Sequence, residues 1–152
     1  TQKEELLKFD KKLPNLCINK MKTYKLAVIG SRGVTQYTPI YKFLDDRIDK
    51  IEIIVSGGCK NSPDEIAHQW CKNRGKPILI FYPDWNGKGK RAGFDRNKLI
   101  IESANNIVAF WDGESKGTKN GIDHAKKLNK PYKIIIMRAG NLPLDKNGNQ
   151  II

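Results

Sequence analysis

The sequence predicts an α/β protein: a doubly wound, five-stranded parallel sheet with strand order 3-2-1-4-5. Three observations predict it. Apolar runs alternate with helical patterns from Tyr24 onward. Those runs are continuously apolar, as a sheet covered on both faces requires. Three of them empty straight into glycine-containing polar turns that precede helical stretches. These are Leu26-Ala27-Val28-Ile29 before Gly30-Ser31-Arg32-Gly33, Ile53-Ile54-Val55 before Ser56-Gly57-Gly58, and Ile107-Val108-Ala109-Phe110-Trp111 before Asp112-Gly113-Glu114-Ser115-Lys116-Gly117-Thr118.

The elements follow in order. A strand over 24–29 leads to a helix over 37–48, where Ile40, Phe43, Leu44 and Ile48 share one face. A strand over 51–55 leads to a helix over 63–74 with Ile66, Ala67, Trp70 and Cys71 inward. Ser62-Pro63-Asp64-Glu65 reads as its capping box, and Gly75 as its stop. A strand over 78–82, a polar loop over 83–90 and a helix over 91–104 come next. A strand over 106–111, a helix over 117–129 and a strand over 132–137 complete the series. Right-handed crossovers restrict the topology, and in the order 3-2-1-4-5 the winding reverses between strands 1 and 4. Ligands of such sheets bind at the carboxyl ends around that point.

The 152 residues fit one domain over 21–140, preceded by an extension over 1–20. A tail over 141–152 carries an Asn147-Gly148 hairpin signal, with Pro143 limiting any strand there to an edge. No apolar stretch approaches the roughly 20 residues of a bilayer span. The first residues do not resemble a signal peptide. Cys17, Cys59 and Cys71 lack metal-type spacing, and His68 and His124 pair with none of them. The expectation is a cytoplasmic chain with reduced thiols, no bound metal and no cofactor.

Net charge is +12, from 28 Lys and Arg against 16 Asp and Glu. The basic residues are dispersed, and are densest over 116–138. Such a field attracts nucleic acid and small anionic nucleotides alike.

A strand, a glycine turn and a helix start place exposed N–H groups and a positive dipole end together, which suits phosphate. Ser31 can donate to a phosphate oxygen, and Arg32 can form a bidentate pair with one. Ser56, Gly57 and Gly58 permit close backbone approach. Asp64 reads either as an acid/base or as an ordinary acid of a first helical turn. Asp84 and Trp85 follow strand 3 at the same edge, where Trp85 either stacks on a base or closes the core. Gly93, Arg96 and Asn97 suit a helix start near phosphate, against the alternative of a solvated basic loop. The turn over 112–118 is the strongest anion cradle: Ser115 and Thr118 offer hydroxyls, Lys116 a charge, and Gly117 open backbone. Plain capping by Ser115 is the simpler account of part of it. Asp112 can hold a sugar hydroxyl or orient a water.

Taken in order, G-S-R, S-G-G, P-D-W, G-K, A-G-x-x-R-N, W-D-G-x-S-x-G-T and the terminal apolar strand resemble the YspA-type branch of the SLOG superfamily. That branch is found in bacteria and phages and is related to LOG-like and DprA-like Rossmann proteins. The resemblance spans about residues 24–137. It implies a Rossmann-like fold, a nucleotide-derived ligand and pairing into a homodimer. It carries over onto Gly30, Ser31, Arg32, Ser56, Gly57, Gly58, Asp84, Trp85, Gly93, Arg96, Asn97, Asp112, Ser115, Gly117 and Thr118. The second motif departs from the pattern: the branch has S-G-G-A-x-G-A-D, whereas 59–64 here lacks the third glycine and has one extra residue before the acid. The LOG-type motif P-G-G-x-G-T-x-x-E would place its catalytic acid over Asp64.

The expected function is binding, for sensing or processing, of a nucleotide or nucleotide-derived phosphorylated ligand at the carboxyl edge. One alternative is hydrolysis of an N-glycosidic or phosphoester bond with Asp64 or Asp112 as general base. Another is DprA-like binding of single-stranded nucleic acid.

Overall fold

A computed structural model describes residues 22–137; the expected extension over 1–20 and tail over 141–152 lie outside the described residues. The elements are β1 (Tyr24–Gly30), α1 (Tyr37–Asp45), β2 (Ile51–Ser56), α2 (Pro63–Arg74), β3 (Ile78–Ile80), α3 (Trp85–Lys88), α4 (Ala92–Ser103), β4 (Asn106–Trp111), α5 (Lys116–Lys127) and β5 (Tyr132–Ile136), with a 3-10 turn (Gly89–Arg91) between α3 and α4. The five strands form one sheet in the order β3-β2-β1-β4-β5, and every pairing is parallel. The order expected from the sequence is the order found.

The continuous apolar runs divide between two cores. On one face Leu26, Val28, Ile54, Val108 and Phe110 pack with Ile40 and Leu44 of α1 and with Ile66 and Trp70 of α2. On the other, Ala27, Ile29, Val55, Ile107 and Ala109 pack with Ile100 and Ile101 of α4 and Ile122 and Ala125 of α5. Alternate residues of each strand therefore serve opposite layers, and both must be apolar.

Local signals set most boundaries. Ser62 Oγ accepts from Asp64 N at 3.1 Å, Pro63 opens α2, and Gly75 ends it in the left-handed region with φ 71°. Ser62 caps the helix without the reciprocal box: its hydroxyl takes the N–H of Asp64 and donates to Cys59 O at 2.7 Å. Glu65 N reaches Ser62 O at 3.1 Å, and among the described residues the Glu65 side chain makes no bond back to Ser62. α4 has no glycine stop. Lys130 Nζ substitutes for one, donating to the carbonyls of Ile101, Glu102 and Ala104 at 2.7, 2.9 and 2.7 Å. Asp45 ties α1 to α2, accepting from Trp70 Nε1 at 2.8 Å and from two Arg74 nitrogens at 2.8 and 3.0 Å. The Arg74 hydrogen bonds hold the Asp45 carboxyl below its usual range.

Most boundaries fall within one or two residues of expectation, and three departures have a visible local form. The first helix ends at Asp45 and continues as hydrogen-bonded turns, with Ile48 N on Asp45 O and Lys50 N on Arg47 O. β3 is only Ile78–Ile80, although Phe81 N still reaches Ser56 O at 2.9 Å. The expected polar loop over 83–90 contains the single helical turn α3, because Asp84 Oδ1 accepts from Gly87 N at 2.9 Å and caps it.

β1 ends against the start of α2. A Cβ on Gly30 would meet the Pro63 ring and lie 2.7 Å from Phe110 O, so the strand end tolerates no side chain. Gly30→Ala is expected to destabilise the fold by about 2 kcal/mol, as overpacking does; urea denaturation measures it, and an unchanged midpoint would contradict this packing.

Candidate functional site

At the carboxyl edge the turns after β1 and β2 and the turn from β4 into α5 enclose a cavity of about 320 Å³. Arg32 enters from the β1 turn, and Cys59 and Asp64 from the passage between β2 and α2. Arg96 and Asn97 enter from α4, and Ser115, Gly117 and Thr118 from the start of α5. Ile29, Gly30 and Ile100 supply an apolar floor. Eight of the residues singled out in the sequence thus line one space: Gly30, Arg32, Asp64, Arg96, Asn97, Ser115, Gly117 and Thr118.

The other candidates do different work. Ser31 is buried below the cavity, with Oγ accepting from Asp112 N at 3.0 Å and lying 3.4 Å from Thr118 Oγ1. It stitches the β1 turn to the β4 turn. Ser56 is buried and its Oγ accepts from Gly58 N at 3.4 Å. Asp112 Oδ1 accepts from Glu114 N at 2.8 Å and Ser115 N at 2.7 Å, folding the turn on itself. Partial burial opposes ionisation of that carboxyl, but the N–H groups of Ser115 and Glu114 and the Ser31 hydroxyl outweigh it and hold the carboxyl below its usual range. Asp84 is consumed as the cap of α3. Gly93 lies beside the Trp85 ring, and Trp85 and Lys116 are exposed.

Arg96 and Asn97 act as latches as well as walls. Arg96 Nη1 donates to Gly57 O at 2.6 Å, and its Nε donates to Asn97 Oδ1 at 3.2 Å. Asn97 Nδ2 donates to Gly117 O at 3.0 Å. One helical dipeptide therefore ties α4 to both the β2 turn and the α5 start. A Cβ on Gly57 would meet the Arg96 guanidinium, so a side chain there would have to displace the latch.

The electrostatics favour an anion. Ser115 Oγ caps Thr118 N at 3.5 Å, while the N–H groups of Lys116 and Gly117 precede the intrahelical ladder at the positive end of α5. Arg32 is exposed, reaches Cys59 Sγ at 3.9 Å, and pairs with no carboxylate among the described residues. Opposing them is Asp64, 7% exposed, whose Oδ2 accepts from Cys59 N at 3.1 Å. Burial raises its pKa from 3.8 to about 6, against the pull of the Cys59 N–H and the Arg96 charge. Of the two candidate acids, the one on the cavity wall is the one poised to exchange a proton near neutrality.

Sequence reasoning missed Ile29, Cys59 and Ile100 as wall residues. Cys59 directly follows Gly58, so the turn itself was its signal; Ile29 and Ile100 read as ordinary core.

No family model matches the chain, and no curated protein matches it significantly. Two solved structures are similar in fold. One is the molybdenum cofactor binding protein from the phototrophic bacterium Rippkaea orientalis, at TM-score 0.61 and 19% identity, covering 76% of this chain and 77% of that one. The other is DNA processing protein A from Helicobacter pylori, described for its single-stranded DNA binding mode, at TM-score 0.59 and 22% identity, covering 85% and 69%. Both likenesses show the Rossmann-like α/β fold. Among the described residues, no helix is long and apolar enough to cross a membrane.

Because the fold favours protonated Asp64, this group's contribution to stability is complete below its unfolded pKa of 3.8 and is lost as pH rises through about 6. The stability of the wild type minus that of Asp64→Asn is expected to fall by about 3 kcal/mol from about pH 3.5 to about pH 7. Urea unfolding across that range measures it, and a difference that stays flat contradicts the assignment.

Proposed function

We propose that the cavity binds a nucleotide-derived phosphorylated small molecule, and that the chain is a member of the YspA-type SLOG branch whose motif order it shares. One observation carries the reading. An arginine without a carboxylate partner and the open amino end of a 12-residue helix face the same small cavity. Arg32 takes the phosphate as a charge-assisted, bidentate partner. Gly117 presents backbone N–H, Ser115 and Thr118 present hydroxyls, and Lys116 adds charge at the rim. Arg96 and Asn97 hold these parts in register. The two structural neighbours are named for binding a cofactor and single-stranded DNA, which is in keeping with a ligand site on this fold.

A second reading rests on Asp64. A buried carboxyl near its neutral point on a cavity wall suits a general acid or base for cleaving the bound ligand. In that case Asp64→Asn abolishes turnover and retains binding.

Calorimetric titration with a panel of nucleoside 5′-monophosphates tests the proposal. One saturable site is expected, and Arg32→Ala should weaken it by about tenfold to a hundredfold, the range for a hydrogen bond to a charged group. Absence of binding across the panel, or indifference to Arg32→Ala, would overturn it.

A further inference from the structure

Just past β3, at the carboxyl edge of the sheet, the chain holds two large aromatic side chains out into solvent. Tyr82 is 69% exposed and Trp85 is 57% exposed. Neither is a stray residue of a loose loop. Phe81 N is hydrogen-bonded to Ser56 O, which carries β3 alongside the end of β2 and brings the Tyr82 ring over Gly58. Gly58 has φ +69°, and a Cβ there would meet the Tyr82 ring at 2.6 Å. Gly58 is followed at once by Cys59, a wall of the cavity. Trp85 opens α3, which Asp84 caps and in which Gly87 leaves no room for a side chain against the Asp84 carboxylate. The tip of its indole lies 3.5 Å from where a Cβ on Gly93 would stand, in the first turn of α4 and three residues before Arg96. A cap and the glycines at 58 and 87 thus hold two exposed rings, one over Gly58 beside Cys59 and one against Gly93 about a helical turn before Arg96. Cys59 and Arg96 both line the cavity. Burial in the core accounts for neither ring.

We infer that Tyr82 and Trp85 form a shelf for the planar heteroaromatic ring of the ligand whose phosphate the cavity holds. The ligand class is therefore a free nucleoside 5′-phosphate, as distinct from a sugar phosphate or inorganic phosphate. This rests on the phosphate-binding reading above and adds to it the part of the ligand that reading leaves open. Stacking suits the arrangement because an exposed aromatic face gains from a planar partner of any base identity. Discrimination among bases would then come from elsewhere.

The test is calorimetric titration of the full chain with adenosine 5′-monophosphate, ribose 5-phosphate and a ten-nucleotide deoxyadenosine strand, with sedimentation run alongside. The nucleotide should bind about tenfold or more tighter than ribose 5-phosphate, the range of one stacked base. In Trp85→Ala and Tyr82→Ala that advantage should collapse toward parity, while Trp85→Phe keeps most of it. Circular dichroism confirms that the variants fold, which their exposure favours. Equal binding of nucleotide and sugar phosphate by the wild type overturns the shelf and leaves the cavity reading standing. Binding of neither overturns both. A strand that binds much tighter than the mononucleotide and loses affinity steeply with salt overturns the assignment to a free nucleotide. A dimer that dissociates in Trp85→Ala overturns the shelf in favour of contact between copies.

Discussion

The pairing of β1 with β4, in register from Leu26↔Asn106 to Gly30↔Phe110, is the constraint on which the carboxyl edge depends. The chain builds β2 and β3 on one side of β1 and then crosses to the other side for β4 and β5. Right-handed connections therefore put α1 and α2 on one face and α4 and α5 on the other. Between the two sets a crevice opens above β1 and β4. Ser31 N on Phe110 O and Ser31 Oγ under Asp112 N, both at 3.0 Å, fix how far apart the two turns stand. Without that stitch the α5 start and Arg32 would face each other only on average.

The second layer of control is the Arg96-Asn97 latch. Both residues spend hydrogen bonds on main-chain carbonyls, of Gly57 and Gly117, that belong to different strand-end turns. Rigid placement of this kind reduces the ordering a ligand must impose when it binds. It also explains why an acid is tolerated in the same wall. Asp64 is satisfied by the Cys59 N–H and sits in the field of Arg96, yet burial still leaves it near its neutral point. Carboxyls shifted by burial in this way concentrate at functional sites.

The fold was legible because its signals are local. Apolar runs stopped by glycine turns, Ser62 before Pro63, Gly75 after Arg74 and Ser115 before Lys116 are each read within a few residues. The convergence of three turns followed from the strand order. What the sequence concealed was the partner of each polar side chain. Arg96 and Asn97 read as ligand contacts because their targets, two carbonyls 39 and 20 residues away, exist only once α4 lies across the sheet. Asp84 read as a ligand contact because a single helical turn over Trp85–Lys88 is too short to show periodicity. Ser31 read as a phosphate donor, and burial places it underneath.

The central claim is that three strand-end turns make one anion site. An amide-resolved magnetic resonance titration of the full chain with adenosine 5′-monophosphate measures this most directly. The account predicts that the amides of Arg32, Cys59 and Gly117 shift together along one binding curve, with the helix ends at the opposite edge of the sheet unmoved. Separate curves for these amides, or shifts gathered away from the carboxyl edge, would contradict it.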